Sequence, residues 1–561
     1  MENESSSCRK YYDERYGQMK AERDSFIPHW RDLSDHILPR QARFLVTDRN
    51  RGDRRNNKII DNTATLSART IMSGMMSGMT SPARPWFVLR TPDHRLNEYQ
   101  PVKLWLDTTR NRMAEVFLRS NLYTTLPLVY GDLAVYGTSA FLALEDDEDM
   151  IRFYHLSIGS YCLANSARGR VDTCYREFQM TVRQMFQMFG KENCSKAVQS
   201  LDQPGTLETW VTIIHAIEPN PDYEPRRQKF SQYKAYRSCY YEAGGNEDKM
   251  LRTSGFDRFR VLAPRWTVTG EDVYGSSPGM EALGDIRALQ LQQKRKQQLV
   301  DKSVNPPMGA PAALRNDRAS VLPGDVTYYD NTTGNQKFEP LYMVDGRGYQ
   351  WLLQDIAETQ NRIKRTFFED LFLMLANDQR SGITAREIAE RHEEKLLMLG
   401  PVVERQNDEM LDPLVDITFE TMLRYGVLPT PPPELQGKPL AVEYISIMAQ
   451  AMKTVGVASI ERFVSFVGQL AGAKPEVLDK VNFDEAVDEY LSTVGAPPKL
   501  IYDAKYVEQV RAHRQKQQQA AQLAASGAQA ASAAKTLSEA KVGNENALTQ
   551  MLRNMKGAAA G

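Results

Sequence analysis

The sequence predicts an α+β fold that is predominantly helical. Long segments with apolar residues at helical spacing cover most of the 561 residues, whereas short strand-like runs concentrate between about 160 and 275. A chain of this length exceeds what one compact core holds, so about two to four substructures are expected. Its 42% hydrophobic and 25% charged content is ordinary for a soluble globular protein.

Composition argues against membrane, secreted and disulfide-rich classes. No run of about 18 apolar residues occurs, so no membrane partner is predicted. The polar N-terminus lacks the apolar centre of a signal peptide. The cysteines are odd in number and have no C-x-x-C spacing, which favours free thiols in a reducing cytoplasm. They are Cys8, Cys162, Cys174, Cys194 and Cys239.

The charge balance argues against a tight grip on DNA. The chain carries 70 basic and 71 acidic residues, a net charge of −1. Proteins that hold duplex DNA by its phosphates usually show a basic surplus. If DNA is a partner, we expect it to be held weakly.

The first 90 residues are predicted to be mainly helical. Residues 1–45 have a helical pattern that is interrupted at Pro28. A charged loop follows at 48–58, and its arginines are interpreted as solvated. The next helix is rich in small residues and methionines, which predicts close packing, and it ends at Ser81 before a strand at 86–89.

The next segments predict helix and then a hairpin. Residues 101–137 are helical, and "SAFLALEDDEDMIRFYHL" has the pattern of a strand, an acidic turn and a second strand. The acids from Glu145 to Asp149 lack the alternating spacing and the glycine of a calcium loop. A solvated turn is therefore predicted.

Residues 160–275 predict an α/β insert in an otherwise helical chain. Strand-like runs surround one predicted helix, "TVRQMFQMFGKENCSKAVQSL". The insert ends before a long helix at 280–302, for which Ser277 is the predicted cap and Pro278 lies in the first turn. The stretch Gln292–Gln298 is polar all round, so it is predicted to face solvent or a wet cavity.

Two long helices are predicted around a short polar loop. The first covers about 347–376, and the loop "NDQRSGI" occupies 377–383. The second helix opens with a capping box at Thr384. Pro401 and Pro413 interrupt its apolar periodicity, which predicts a kinked helix.

The second of these helices also contains a sequence that begins like a zinc motif. His392 and Glu393 match the start of H-E-x-x-H, but Leu396 occupies the position of the second histidine. Two imidazoles on one helical face are needed to hold the metal. We therefore interpret His392 as a structural histidine.

The C-terminal region is less regular. A proline-rich connector spans 426–439, short helices are predicted at 442–494, and the chain is rich in alanine and glutamine after Tyr506. Alanine favours helix, yet one exposed helix of this composition buries little apolar surface. A helix packed beside copies of itself and a frayed tail both remain open for this segment.

Signatures of catalysis are absent from the sequence. There is no phosphate-binding G-x-x-x-x-G-K-[ST] loop and no G-x-S-x-G. "GRGYQW" begins like a dinucleotide fingerprint, but Trp351 stands where the third glycine belongs. The seven histidines show no ligand spacing. No catalytic residue, metal or cofactor is predicted, and a structural or binding protein is favoured over an enzyme.

Four segments together resemble the portal, or head-to-tail connector, proteins of short-tailed bacteriophages. The most specific is "SGITAREIAERHEEKLLMLGPVVERQNDEMLDPLVDITFETMLRYGVLPTPP". It is similar to that family in its Thr-Ala-x-Glu, charged helix, Leu-Gly-Pro-Val and later Arg-x-Gly before prolines. The others are "VYGSSPGMEALGDIRALQ", "FIPHWRDLSDHILP" and "LVYGDLAVYGTSAFLAL". The resemblance covers about 10–430, and residues 440–561 match less distinctly.

The resemblance implies the phage portal fold, assembled as a ring of about twelve copies around a central channel. Its parts would be a wing with the first stem helix at 1–159, a clip at 160–275, a second stem helix at 276–303, a wing with the channel loop and a long kinked helix at 304–430, a crown at 431–500, and a C-terminal barrel helix or tail at 501–561.

The resemblance also implies partners and a location. The ring would conduct double-stranded DNA, held weakly, during packaging, retention and ejection. Its protein partners would be the terminase large subunit, a tail adaptor protein, and the major capsid and scaffold proteins. The protein would be assembled in the bacterial host cytoplasm and would lie at the head-tail vertex of the virion.

Two sets of residues are implied to lie at the channel, although the stem set could instead circle its outside. The channel loop would present Asn377, Asp378, Gln379, Arg380, Ser381 and Gly382 to DNA. The stem would present Gln292, Gln293, Lys294, Arg295 and Lys296.

Two alternatives remain. One is another virion structural or ejection protein. The other is a metal-dependent nuclease or hydrolase that uses the acids Glu145–Asp149 with His155.

Overall fold

The computed structural model describes residues 2–48, 52–245, 249–309, 339–340, 346–373, 398–450, 466–469, 474, 481–482, 506–521 and 532. The chain divides into two compact units, residues 1–481 and 482–561. In the second unit, residues 506–521 form a helix. All elements named below belong to the first unit.

Helices and antiparallel sheets together make a mixed α/β fold. The helices are α1 (Glu2–Asp24), α2 (Ile27–His36), α3 (Thr63–Met79), α4 (His94–Glu98), α5 (Gln100–Arg119), α6 (Leu122–Tyr136), α7 (Val182–Phe189), α8 (Lys196–Gln199), α9 (Pro278–Val304), α10 (Gly346–Thr366) and α11 (Asp412–Arg424).

The strands form one sheet of five strands and several smaller ones. They are β1 (Phe87–Arg90), β2 (Ala140–Asp146), β3 (Met150–Leu156), β4 (Tyr161–Asn165), β5 (Val171–Thr181), β6 (Trp210–Pro219), β7 (Tyr236–Glu242), β8 (Arg252–Phe256), β9 (Val261–Leu262), β10 (Met308–Gly309), β11 (Glu339–Pro340) and β12 (Ala441–Tyr444). The orders are β4-β5-β6-β7-β8, β3-β2-β9, β1-β12 and β10-β11.

The N-terminal helices break where the sequence predicts. α1 ends at Asp24, and α2 begins at Ile27 with Pro28 in its first turn. A proline fits the first turn because the amide it lacks would have no partner inside the helix. Trp30 and Leu33 of α2 are fully buried. The predicted interruption at Pro28 is confirmed.

The small residues of α3 permit a close helix contact, as predicted. A Cβ atom on Gly74 would lie 2.6 Å from the Cβ of Phe372. Such a distance leaves no room for any side chain at position 74. Ala64 and Ala68 are buried on the same helix.

The five-stranded sheet forms the insert, and helices cover both of its faces. Tyr12 and Tyr16 of α1 pack against Tyr175 of β5 on one face. On the other, Met185 and Phe189 of α7 share a hydrophobic cluster with strand residues. The sheet is thus buried on both faces for much of its length.

The single helix predicted inside the insert is wrong. Thr181 and Gln184 form a capping box that starts α7, but Gly190 then adopts a φ of 84° and ends it. A 3₁₀ turn at Lys191–Asn193 and the short α8 follow. Glycine is the residue that enters this backbone region without strain, and the prediction overlooked it as a stop signal.

Of the two prolines predicted to kink the long helix, Pro401 lies in regular helix and Pro413 follows an irregular turn. Residues 398–406 are regular helix, including Pro401, but Asn407–Leu411 form a π-helical turn that ends two residues before Pro413. Pro413 has no N–H to donate to a carbonyl one turn earlier, so the ladder shifts by one residue. Regular helix resumes as α11.

A buried ion pair anchors this π-helical turn to the end of the insert. Arg265 is only 1% exposed, and its guanidinium lies 2.6 Å from the carboxylate of Glu409. The same side chain donates to the carbonyl of Gly169 at 2.8 Å, and Gln406 donates to the carbonyl of Arg265 at 2.8 Å. Breaking a buried pair by removing one partner costs about 3–5 kcal/mol. The insert and the long helix are therefore held together.

Candidate functional site: a helix pair with a polar seam

α9 begins as its sequence predicts. The Ser277 hydroxyl accepts a hydrogen bond from the amide of Met280 at 3.1 Å and donates to the carbonyl of Val135 at 2.7 Å. The cap therefore both starts the helix and fixes it to α6. In the first half, Ile286 and Leu289 are fully buried. The second half buries no apolar side chain.

α9 and α10 form an antiparallel pair with a defined register. Arg362 forms an ion pair with Asp285 at 3.1 Å. Further along the pair, the side-chain amide of Gln292 donates a hydrogen bond to the Asp355 carboxylate at 2.6 Å. Seven residues separate these contacts on each helix, in opposite directions. Four residues further, Lys296 therefore lies opposite Trp351.

A polar seam, defined here as Asp61, Gln290, Gln293 and Gln360, lies beneath the pair. The side-chain amides of Gln293 and Gln360 each donate to the Asp61 carboxylate at 2.8 Å. Gln290 is buried, and its carbonyl oxygen accepts from the amide of Asp61 at 2.9 Å. One carboxylate thus joins both helices to the loop before α3.

The Asp61 carboxylate is stabilised in its charged form. Burial alone would raise its pKa, but the hydrogen bonds from Thr63, Gln360 and Gln293 outweigh burial, so the pKa lies below its usual value. Thr63 donates both its hydroxyl and its amide to the other oxygen. Hydrogen bonds to a charged group are stronger than those between neutral groups.

The seam corrects the prediction that Gln292–Gln298 faces solvent throughout. Gln292 and Gln293 are half-buried because Asp355 and Asp61 satisfy their amides. Lys294 and Arg295 are exposed, whereas Lys296 is half-buried. An all-polar stretch can pack against a neighbour when that neighbour supplies hydrogen-bond partners.

Known proteins are similar to this chain along nearly its whole length. The profile for "Bacteriophage head to tail connecting protein" matches residues 9–501. The chain belongs to this family. It is 53% identical over 533 residues to the "Portal protein" of Salmonella phage epsilon15, covering 95% of this chain and 96% of that one. It is 46% identical over 549 residues to the "Probable portal protein" of Bordetella phage BPP-1, covering 98% and 99%.

A solved structure also matches this head-to-tail connecting protein. A chain of the "Virion of native gene transfer agent (GTA) particle" aligns over 78% of this chain and 90% of its own, with a TM-score of 0.32 and 11% identity.

The predicted channel loop of this connecting protein lies outside the described residues. Asn377, Asp378, Gln379, Arg380, Ser381 and Gly382 all fall there, as does His392. Of the predicted site residues, the structure describes the stem set, Gln292 to Lys296.

The acids and the histidine of the nuclease alternative are not brought together. The acidic residues lie at the end of β2 and in the β2–β3 turn, and Arg260 and Arg424 pair with Glu145. His155 pairs across from Phe141, five residues and about 17 Å from the turn. There it contacts Asp132 at 2.7 Å, and burial raises the pKa of that carboxyl. This pair belongs to the protein interior.

Among the described residues, no group of three or more potential ligands is placed to hold a metal ion. No helix in the described part of the chain has the length and apolar character needed to span a membrane.

Sequence reasoning missed Asp61 and Trp351. Asp61 stands two residues before α3, a position typical of a local cap, and this was its only local signal. Trp351 was noted only as a mismatch to a nucleotide motif, yet it is 75% exposed on α10. An exposed tryptophan at helical spacing could have been recognised as a surface anchor.

Replacing Asp61 by Asn should loosen the helix pair. Asn keeps the size of the side chain but has only one oxygen, so the donors on one side, either Gln293 with Gln360 or the amide and hydroxyl of Thr63, would face an NH2 group and lose their acceptor. We expect a loss of about 1–3 kcal/mol in local stability. Hydrogen exchange of α9 amides should accelerate at pH 7.

The pH dependence identifies the carboxylate as the cause. The folded pKa of Asp61 is lowered, so its contribution is present above its usual pKa of 3.8 and is lost as the pH falls below that value. The difference in the local stability of α9 between wild type and D61N should therefore become smaller as the pH falls below 3.8. An equal gap at all pH values would contradict this assignment.

Proposed function

We propose that this protein is a portal protein, the ring at one capsid vertex through which DNA enters and leaves the head. The observation that carries the proposal is the near full-length identity of 53% and 46% to two proteins named as portal and probable portal proteins. Identity of this degree extends along nearly the whole chain. It is therefore not the similarity of one short module that proteins of different function share.

In this proposal, about twelve copies surround the channel. The terminase large subunit supplies the work of packaging, and a tail adaptor later occupies the same end of the ring. The capsid and scaffold proteins hold the ring in the shell. The protein itself acts as a structural conduit and catalyses no reaction.

The parts of the chain receive roles in this proposal. The insert at 160–275 forms the clip, α9 forms the second stem helix, and residues 377–383 form the channel loop. Residues 1–159 and 304–430 form the wing, 431–500 the crown and 501–561 the barrel. The ion pair between Arg265 and Glu409 supports this arrangement because it ties the clip to the long helix that follows the channel loop in sequence.

The balance of charge suits a conduit. If each of about twelve copies held one phosphate at once, log affinity would fall against log salt with a slope of about −11. DNA held so firmly at low salt would resist movement. A net charge of −1 per chain avoids that outcome.

The purified protein should form closed rings with a central hole. In a closed ring, every copy makes the same contact with the next copy. Each subunit therefore buries surface against both of its neighbours. Negative-stain electron microscopy and light scattering would measure this. A stable monomer across salt and concentration would exclude the portal proposal.

Lys294 and Arg295 should contact DNA weakly. Both are exposed on α9, and neither has an acidic group within 4 Å among the described residues. Replacing both with Gln should leave rings intact and reduce the salt slope of DNA binding by about 0.9 for each lost contact per copy. R69Q with R119Q is the matched control, since these arginines are exposed on α3 and α5. The control should keep the wild-type salt slope. A wild-type salt slope in the variant that lacks Lys294 and Arg295 would refute a DNA-facing role for these two residues.

Shortening the loop 377–383 to a glycine linker should permit ring assembly and impair DNA retention. Its side chains offer hydrogen bonds with one positive and one negative charge, which suits brief contact with phosphates. Packaging assays with full-length DNA would measure the effect. Normal packaging and retention would show that this loop is an ordinary surface turn.

A further inference from the structure

Trp351 is the most unusual exposed residue of the helix pair. Its side chain is 75% exposed near the start of α10. Burying an aromatic side chain of this size stabilises a contact strongly, and tryptophan is enriched among residues that dominate interface energies. Duplex DNA offers it little, because the bases are already stacked inside the helix. A protein surface is the better partner.

α9 carries an outer stripe, defined here as Glu281, Gly284, Ala288 and Leu291. These residues lie three or four positions apart on the side opposite the buried Ile286. All four are exposed, and Leu291 is 48% exposed. The stripe is shallow in its centre and apolar, with an acidic residue at one end.

Gly284 has no evident role within the subunit. A Cβ atom there would meet nothing within 4 Å, and its backbone is ordinary helix. Glycine in a helix interior costs about 1 kcal/mol relative to alanine. No contact in the described part of the subunit requires a glycine at this position. Close approach of another molecule to the helix at Gly284 would explain why a side chain is absent there.

We propose that Trp351 of one subunit packs on the outer stripe of a neighbouring copy of this chain. Lys296, which lies opposite Trp351, then faces Glu281 of the neighbour. Lys296 and Glu281 have no oppositely charged group within 4 Å among the described residues, so each is available for such a pair. The inference rests on the proposed ring and names a contact within it.

The two surfaces cannot meet within one subunit. Trp351 lies at the level of Lys296, twelve residues and about 18 Å along α9 from Gly284. Contact between two different patches is heterologous, and repeated heterologous contacts form a ring when the rotation between copies closes, as it does in the proposed ring. The partner that Trp351 contacts is therefore a second copy of the same chain.

The test uses the full-length protein with three substitutions. W351A removes the anchor, and G284L fills the shallow centre of the stripe. Because G284L meets open space in the subunit and improves helix propensity, it should raise subunit stability while weakening assembly. G17L is the matched control, since Gly17 is exposed on α1 and also has nothing within 4 Å.

W351A and G284L should each lower the ring fraction at fixed concentration by about tenfold or more, while G17L leaves it unchanged. Circular dichroism and thermal unfolding confirm that each subunit folds. Rings at the wild-type level in both variants would overturn the contact but leave the portal proposal standing. Wild-type protein that forms no ring would instead defeat the portal proposal.

A charge exchange tests the pairing directly. K296E and E281K should each weaken assembly, and the double variant should restore it, because the pair is reversed rather than removed. K294E with E281K is the control, since Lys294 lies on another side of α9 and should not rescue. Failure of the first pair to rescue, or equal rescue by the second, would refute the proposed facing of Lys296 and Glu281.

Discussion

The position of the helix pair depends on one charged group, the Asp61 carboxylate. It accepts hydrogen bonds from α9, from α10 and from the first turn of α3. Because these donors come from three distant segments, moving any one of the segments removes at least one hydrogen bond from a charged group. The core fixes how deeply the helices lie, and the seam fixes their register. The exposed ends of the pair, including Trp351, follow from that register.

The insert is less independent than its composition suggests. α1 covers one face, where Arg15 pairs with the buried Glu218 at 3.1 Å and Tyr175 donates to the same carboxylate at 2.6 Å. Arg265 and Glu409 hold its other end to the long helix. The insert and the long helix lie within one compact unit, residues 1–481. The insert is therefore tied to the rest of the subunit at both of these places.

Local signals predicted much of this fold, and nonlocal contacts account for the rest. Pro28, Ser277 and Pro413 each act within one turn, so the break before α2, the start of α9 and the π-helical turn follow from neighbouring residues. Asp61 meets its partners 232 and 299 residues away. No local pattern encodes such pairings, and this is why Gln292 and Gln293 were assigned to solvent. Gly190 was a local signal that the prediction overlooked.

The β1–β12 pair has a consequence for biosynthesis. Phe87 pairs with Tyr444, and Arg90 with Ala441, so the partner strand emerges from the ribosome more than 350 residues later. At about 5–20 residues per second, β1 waits about 20–70 s with an open edge. Contacts so distant in sequence form late. Completion of the subunit, and any association that needs it, is thereby postponed until at least residue 444 of 561 has been translated.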